Sequence, residues 1–428
     1  MTLKRNGTYG ILPIMVFAAL SYMIVYRLIS CEFSDYLSDY NSHTYVYLMP
    51  FLNDGFIKGW LNRPYCLFQI AVLFFLKVMH LPLEMSSILT GSLFFLFSYL
   101  LTVFMIKRFC EYKDYEISGV MLGFLSFVLN FVQSFYLEHL DLGTRTAGAF
   151  SINPLYSPTQ MAAKPFSLIC FMLVIDIVNI KNVKSFSDEN AGKSEAVFFK
   201  GIRSDTGRYI ILALSLLISE TAKPVFAEMF IPAVGLYFLW EFAIVLTKEK
   251  KHAADYFKKA LLPMFLCALP AIAYMLIQTA AYFAVYGNYD EGSVIVITKW
   301  LEVWSLFTEN VPLSIIFGMA FPIYVIVIDS KNFVKTGMGR LGLISYAVGF
   351  LEAALLGENG SKLYDANFMW PMMFGMLILW ITTFLHFVGL TYSEEDGIQR
   401  KVILYIGYFI LILHLISGVS YIFESFGW

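Results

Sequence analysis

Asp35, Asp39 and His43 lie four residues apart in the first polar segment of the chain. On a helix that spacing stacks them along one face, so two carboxylates and an imidazole meet. Such a set can accept a proton from a hydroxyl: one carboxylate acts as general base while its neighbours orient it or raise its pKa. The same groups form an incomplete ligand set for a divalent metal, which leaves a metal open. A hydrated loop helix capped by Asp35 or Asp39 uses the same residues with no chemistry. Taken alone, the triad favours that plainer account.

A second signal is a repeated Ala-Lys-Pro, in Ala163-Lys164-Pro165-Phe166 and again in Ala222-Lys223-Pro224-Val225-Phe226. Each is expected to open a membrane span, because proline suits the first helical turn, where its missing N–H leaves nothing unbonded. A helix N-terminus already carries partial positive charge, and a lysine there adds a full one. An anion between them relieves the repulsion, and two such ends at one depth suit a lipid phosphate or pyrophosphate. Two lysines snorkelling to the interface are the plainer alternative.

Two further segments are rich in polar groups. Residues 136–160 carry Glu138, His139, Asp141, Arg145, Asn153-Pro154 and Ser157-Pro158 among aromatics, a mixture that suits sugar hydroxyls and C–H faces. Prolyl turns explain the Asn-Pro and Ser-Pro pairs equally well. Residues 357–367 gather Glu358, Lys362, Asp365 and Asn367 in one short connection. Here Asp365 or Asn367 as a helix cap, and Glu358 with Lys362 as a surface ion pair, are the structural alternatives.

The elements that must position these residues are membrane helices. The 428 residues are 58% hydrophobic and 14% charged, with mean hydropathy +0.67. A soluble chain carries roughly 25% charged residues. The sequence predicts a single all-α polytopic bundle over residues 1–428. Its roughly eleven spans fall near 10–30, 86–106, 117–135, 165–180, 208–222, 224–246, 260–285, 311–329, 340–356, 368–389 and 401–422. Residues 11–31 resemble a signal peptide ending in a lipobox-like Leu28-Ile29-Ser30-Cys31, but the apolar run is long, and it is read as the first span.

Twenty-one of the thirty basic residues then fall at six segments on one side. By the positive-inside rule that side, with the N-terminus and the loop 181–207, is cytoplasmic in a multi-pass cell-membrane protein. Residues 65–80 are short for a crossing and carry Gln69 and Lys77. A crossing there would turn the lysine-rich loops outward, so an interfacial or re-entrant helix in the outer loop 31–85 is expected instead.

The candidate residues above thereby share the extracytoplasmic face. Net charge −2 gives no reason to expect a nucleic-acid partner. No glycine-rich nucleotide loop is present. Asp176, Glu220, Glu228 and Glu352 fall near span ends, whereas ion-coupled carriers place such groups near the midplane. Cys31 and Cys66 share the outer side, with free thiols the expected state. His80, His252, His386 and His414 are expected to be structural or solvated.

This layout resembles the GT-C class of integral-membrane glycosyltransferases. That class has many spans and a first outer loop with an acidic residue beside the first helix, followed by membrane-hugging helices. Residues 31–85 match that arrangement, with Asp39 or Asp35 as the acidic position. The apolar segment introduced by Asn62-Arg63-Pro64 matches the interfacial helix. The Lys-Pro-Phe, Ala-Lys-Pro-Val-Phe and Asn-Phe-Met-Trp segments also resemble a family of bacterial polytopic membrane proteins. The chain departs from the better-known GT-C members in lacking a double-acidic signature in a second outer loop and a soluble C-terminal domain.

The resemblance implies sugar transfer from a polyprenyl-phosphate donor to a glycan, lipid or protein acceptor in the cell envelope. It assigns Asp39, with Asp35 and His43, to catalysis and Lys164, Lys223 and Lys362 to the donor phosphate. Arg63, His139, Asn153, Glu358, Asp365 and Asn367 are the candidate substrate-binding positions. A carrier of lipid-linked saccharides and a non-catalytic subunit of a polysaccharide assembly complex are the alternatives.

Overall fold

A computed structural model describes residues 7–30, 39–62, 65–135, 152–153, 155, 157–181, 197–286, 295–360, 363, 366–392 and 397–425. Helix α1 (Gly7–Ser30) is followed by a run of short helices: α2 (Asp39–Asn41), a π-helical turn (Ser42–Val46), α3 (Met49–Asn53), α4 (Phe56–Asn62) and α5 (Leu67–Lys77). Long helices α6 (Leu83–Tyr112), α8 (Pro158–Ile180), α9 (Asp205–Ala222) and α10 (Val225–Lys248) follow, with the shorter α7 (Gly119–Phe131) between α6 and α8. Then come α11 (Ala253–Tyr256), a second π turn (Phe257–Leu261), α12 (Leu262–Tyr286), α13 (Glu302–Ser305) and α14 (Val311–Lys335). The last long helices are α15 (Gly337–Leu355), α16 (Met369–Thr391) and α17 (Ile398–Ser425). A two-stranded antiparallel sheet pairs β1 (Ile295–Ile297) with β2 (Leu356–Glu358), Val296 opposite Gly357.

Among the described residues, nine helical segments are long and apolar enough to cross a membrane, so the chain is a multi-pass helical membrane protein. Two of the eleven expected spans fall short of that. The segment expected at 117–135 is a helix of only 13 residues, capped by the Ser118 hydroxyl and ending at Phe131. The segment expected at 208–222 is an 18-residue helix that carries Asp205, Arg208 and Glu220.

Residues 65–80 lie between two long helices, α1 and α6, that pack against each other. Tyr22 meets Met85, Val25 lies against Gly91, and Phe17 stacks on Tyr99 at 4.0 Å. The later part of α1 (Tyr22, Val25) lies beside the start of α6, and the earlier Phe17 lies beside Tyr99 farther along α6, so the helices are antiparallel. The chain between them leaves and re-enters the bundle at one end. At 1.5 Å per residue the 11-residue α5 is about 17 Å long, roughly half a hydrocarbon core.

The same logic orients the rest. Helices α8 and α9 are antiparallel, tied by Ser167 to Ser219 (3.5 Å) and Lys181 to Asp205 (2.5 Å). Helices α9 and α12 run parallel, with the Tyr209 hydroxyl on the Lys259 carbonyl and the Gln278 amide on the Glu220 carbonyl. Helices α10 and α15 are antiparallel: Arg340 pairs with Glu241 at 2.9 Å, and Glu352 interacts electrostatically with Glu228. One end of the bundle therefore carries Lys107, Arg108, Lys181, Lys258, Lys259, Arg340 and Arg400. The other carries α2–α5, the α9–α10 junction and the small sheet.

Helices α15 and α16 form the closest pair. A Cβ added at Gly349 would stand 2.7 Å from the Met372 Cα, and one at Gly375 would stand 2.6 Å from the Ser345 carbonyl oxygen. Backbone-to-backbone approach through small residues is how membrane helices gain van der Waals contact when lipid removes the hydrophobic drive.

Beyond Phe131, residues 132–135 leave the helix, and several of their polar groups bond to distant helices. The Gln133 N–H donates to the His414 carbonyl, Phe135 N–H to the Phe317 carbonyl, and His414 Nδ1 to the Gln133 carbonyl at 2.7 Å. Non-helical backbone at membrane depth survives only when buried and satisfied in this way. The absence of a side chain at Gly418 lets this stretch approach α17, because a Cβ there would collide with the Phe131 carbonyl.

Candidate functional site at the lysine-poor end

Asp39 begins α2 and His43 lies in the π turn four residues on, with His43 Nε2 3.6 Å from Asp39 Oδ1. The imidazole is buried, at 4% exposure, while the carboxylate is 30% exposed. The histidine therefore stands behind the acid, and the acid is the group a ligand can reach. Gln69, in the first turn of α5, places its amide nitrogen 2.6 Å from His43 Nδ1. With that amide nitrogen as donor, Nδ1 accepts and Nε2 would carry the proton facing Asp39. At 3.6 Å that contact exceeds hydrogen-bond length and leaves room to close.

Phe68 and Tyr47 set their rings edge-on to the imidazole and wall it in. Tyr40 is buried against Gly91 of α6. Burial, and then the Asp39 charge, pushes its phenol pKa up, so its hydroxyl stays protonated.

Lys164 is placed differently from the sequence expectation. Helix α8 opens at Ser157-Pro158, so Pro165 sits inside the helix and Lys164 does not mark its start. The lysine is buried, at 3% exposure, and Nζ donates to Asn130 Oδ1 at 3.3 Å and to Asn153 Oδ1. Asn153 in turn donates to the Leu129 and Val132 carbonyls and accepts from the Gln133 side chain on its own carbonyl. Lys164 and Asn153 together close the broken end of α7. These contacts use Lys164 for structure, and Asn153 with it.

The second Ala-Lys-Pro behaves as its sequence suggests. Lys223 is extended (φ −163°, ψ 130°) between α9 and α10, and Pro224 stands at the α10 N-terminus. Lys223 Nζ lies 4.9 Å from the centre of the Trp370 ring. It also interacts with Glu228 in the first turn of α10, which feels Glu358 as well. Glu358 accepts a hydrogen bond from the Asn367 amide at 2.5 Å, so two of the expected binding residues meet across the α15–α16 connection.

Glu220 is fully buried one turn before the break, and neither carboxylate oxygen has a hydrogen-bond partner among the described residues. It interacts electrostatically with Glu228, as does Glu352. Tyr274 connects this group to the outer hairpin: it accepts from Trp60 Nε1 at 2.8 Å and interacts with both Cys66 and Glu220. The Asp39 group and the Lys223 group thus occupy one end of the bundle, joined through α4, α5 and α12.

Asp35, Arg63, His139, Lys362 and Asp365 lie outside the described residues. So does Cys31, while Cys66 is a free buried thiol whose pKa burial pushes up to about 11. Among the described residues no three His, Cys, Asp or Glu side chains converge on a point that could hold a metal. The residues that sequence reading did not assign to the site are Gln69, Tyr40 and Trp370. Gln69 was visible as an amide in an apolar run, which demands a buried partner. Trp370 stood out only as the end of the Asn-Phe-Met-Trp segment, and its place beside Lys223 comes from where α16 begins.

Helix length and hydropathy establish a polytopic helical membrane protein. Comparison with profiles of protein families, with curated proteins and with solved structures finds no match, so no family is assigned.

Proposed function

We propose that this protein transfers a sugar from a polyprenyl-phosphate donor to a glycan, lipid or protein acceptor at the extracytoplasmic membrane surface. The observation that carries the reading is the Asp39–His43–Gln69 chain, which presents one reachable carboxylate oriented by a buried imidazole. The orientation rests on the charge rule, which sends the lysine-rich end to the cytoplasm and this site outward.

In the proposed reaction the acceptor hydroxyl gives its proton to Asp39 as its oxygen bonds to the anomeric carbon. The anomeric carbon–oxygen bond to the donor phosphate breaks, and its electron pair leaves with the polyprenyl phosphate. Lys223, beside the α10 N-terminus, offsets the charge that grows on that leaving group. Lys164 has no direct part in this reading, because its amine already serves two amide oxygens. Trp370 offers an aromatic face for a sugar, and Glu358 and Asn367 offer hydrogen-bonding groups beside it.

The test is transfer from radiolabelled polyprenyl-phosphate sugars in proteoliposomes, comparing wild type with Asp39→Asn. Label should reach an acceptor with wild type and fall by at least about 100-fold in the variant, the low end for loss of a general base. Equal turnover by both proteins would remove Asp39 from catalysis. One observation favours a second reading, a carrier of lipid-linked saccharide: Glu220 is buried with no hydrogen-bond partner among the described residues, and ionisable groups of that kind accompany coupled transport. Label that crosses the bilayer without forming a new glycosidic bond would select the carrier.

A further inference from the structure

At the opposite, lysine-rich end lies a cavity of about 460 Å³ between α8, α9, α10 and α12. Leu212, Val234 and Phe238 form its buried floor, whereas Leu239, Phe257 and Phe265 form an exposed lip. It therefore opens sideways, through the apolar outer surface of membrane-crossing helices, toward hydrocarbon rather than water.

Two features distinguish this cavity from ordinary loose packing. Gly235 stands in its wall in mid-helix, and a Cβ added there would meet nothing within 4 Å. The missing side chain is thus part of what leaves the space, although glycine is a poor residue for a helix interior. The other feature is the π turn Phe257–Leu261, which contributes Phe257 and Leu261 to the cavity wall and carries Lys258 and Lys259 exposed on the same turn. π turns interrupt α-helices mostly at functional positions. The surrounding segment 248–259 has five lysines against Glu249 and Asp255. Lys259 meets Asp255 only at 3.9 Å, with both side chains more than half exposed, a contact of little weight.

We infer that this cavity holds one acyl chain of an anionic glycerophospholipid, whose phosphate is held at the rim by Lys258 and Lys259. A hydrocarbon pocket whose wall includes a turn that carries two exposed lysines complements a lipid with an apolar tail and a negative headgroup, as basic pockets between membrane helices do. The site is separate from the Asp39 group, at the other end of the bundle, and does not depend on the reaction proposed above. A neutral lipid would use the hydrocarbon pocket without the lysines, whereas an isoprenyl phosphate would offer them a phosphate but place a branched isoprenoid chain where the acyl chain lies.

The experiment uses the full chain in detergent with phosphatidylglycerol, phosphatidylcholine or a short isoprenyl phosphate added, and reads bound lipid by native mass spectrometry. Wild type should retain phosphatidylglycerol at least fivefold over phosphatidylcholine. Gly235→Phe, which fills the pocket, and the double variant Lys258→Gln with Lys259→Gln should each cut that retention at least fivefold, while Gly235→Ala keeps it. The exposed lysine pair gives an independent arm should Gly235→Phe fail to fold. A phosphatidylglycerol bearing a photoreactive acyl chain should label the cavity-lining segments 212–216, 230–239 or 257–272 in wild type. Equal retention of the two phospholipids, preference for the isoprenyl phosphate, unchanged retention in the lysine variant, or labelling elsewhere would each overturn the assignment.

Discussion

Replacing Lys164 with methionine keeps the length and apolar stem of the side chain and removes only its N–H donors. Asn130 Oδ1 and Asn153 Oδ1, both buried, then lose the lysine as donor. An orphaned buried acceptor costs about 1–3 kcal/mol in a protein interior. Hydrogen bonds between membrane helices measure lower, about 0.6 kcal/mol on average and at most about 1.7. Two lost bonds on that scale predict a destabilisation of about 1–3 kcal/mol for Lys164→Met.

Asn153→Ala removes the shared bond and also frees the Leu129 and Val132 carbonyls, so it should destabilise at least as much. Because the two residues share a bond, a double-mutant cycle should return a coupling of about 0.6–1.7 kcal/mol. The assay is reversible unfolding in mixed micelles with rising SDS, read by tryptophan fluorescence for wild type, both single variants and the double. Additivity within about 0.3 kcal/mol, with wild-type stability and lost sugar transfer, would refute the structural lock and return Lys164 to the phosphate.

Gln69→Leu takes the donor from the buried His43 Nδ1, so it should lower transfer and also cost about 1–3 kcal/mol of stability. Wild-type turnover in that variant would mean the imidazole does not orient Asp39. Lys223→Gln should weaken donor use, seen as a raised KM for polyprenyl-phosphate sugar or a lowered kcat with KM unchanged. The first outcome places the lysine in ground-state binding and the second in transition-state stabilisation; no change in either would exclude it from the site. Gly349→Val forces a Cβ against the α16 backbone and should destabilise by about 1–3 kcal/mol in the same unfolding assay, whereas a neutral result would show that α15 and α16 can separate freely.

Much of the fold was legible because hydropathy and charge act locally. The apolar runs located most of the long helices, and 65–80 holds only the 11-residue α5, shorter than the helices able to cross. Lys223-Pro224 correctly marked a helix break, since proline at a helix start is a backbone property of one residue. The identical tripeptide at Lys164-Pro165 misled for the opposite reason. Ser157-Pro158 had already opened that helix, and nothing within the tripeptide records what lies upstream. Residues 117–135 looked like a span because composition cannot tell a continuous helix from a short one followed by buried extended chain. The difference lies in His414, Phe317 and Asn153, which receive the stray backbone groups from far along the sequence.

The sequence by itself determined that this chain lives in a membrane as a helical bundle, which end collects its lysines, and that Asp39 and His43 share a helix face. Those properties are sums of single-residue transfer energies, or follow from a fixed 3.6-residue repeat. Tertiary structure decided that Gln69 stands behind His43, that Asn130 and Asn153 occupy Lys164, and that Trp370 lies under Lys223. It also buried Glu220 with no hydrogen-bond partner among the described residues and left Gly235 facing open space. A polar group's function depends on which atoms satisfy it, and in a bundle those atoms arrive from helices tens to hundreds of residues away, where local pattern carries no record of them.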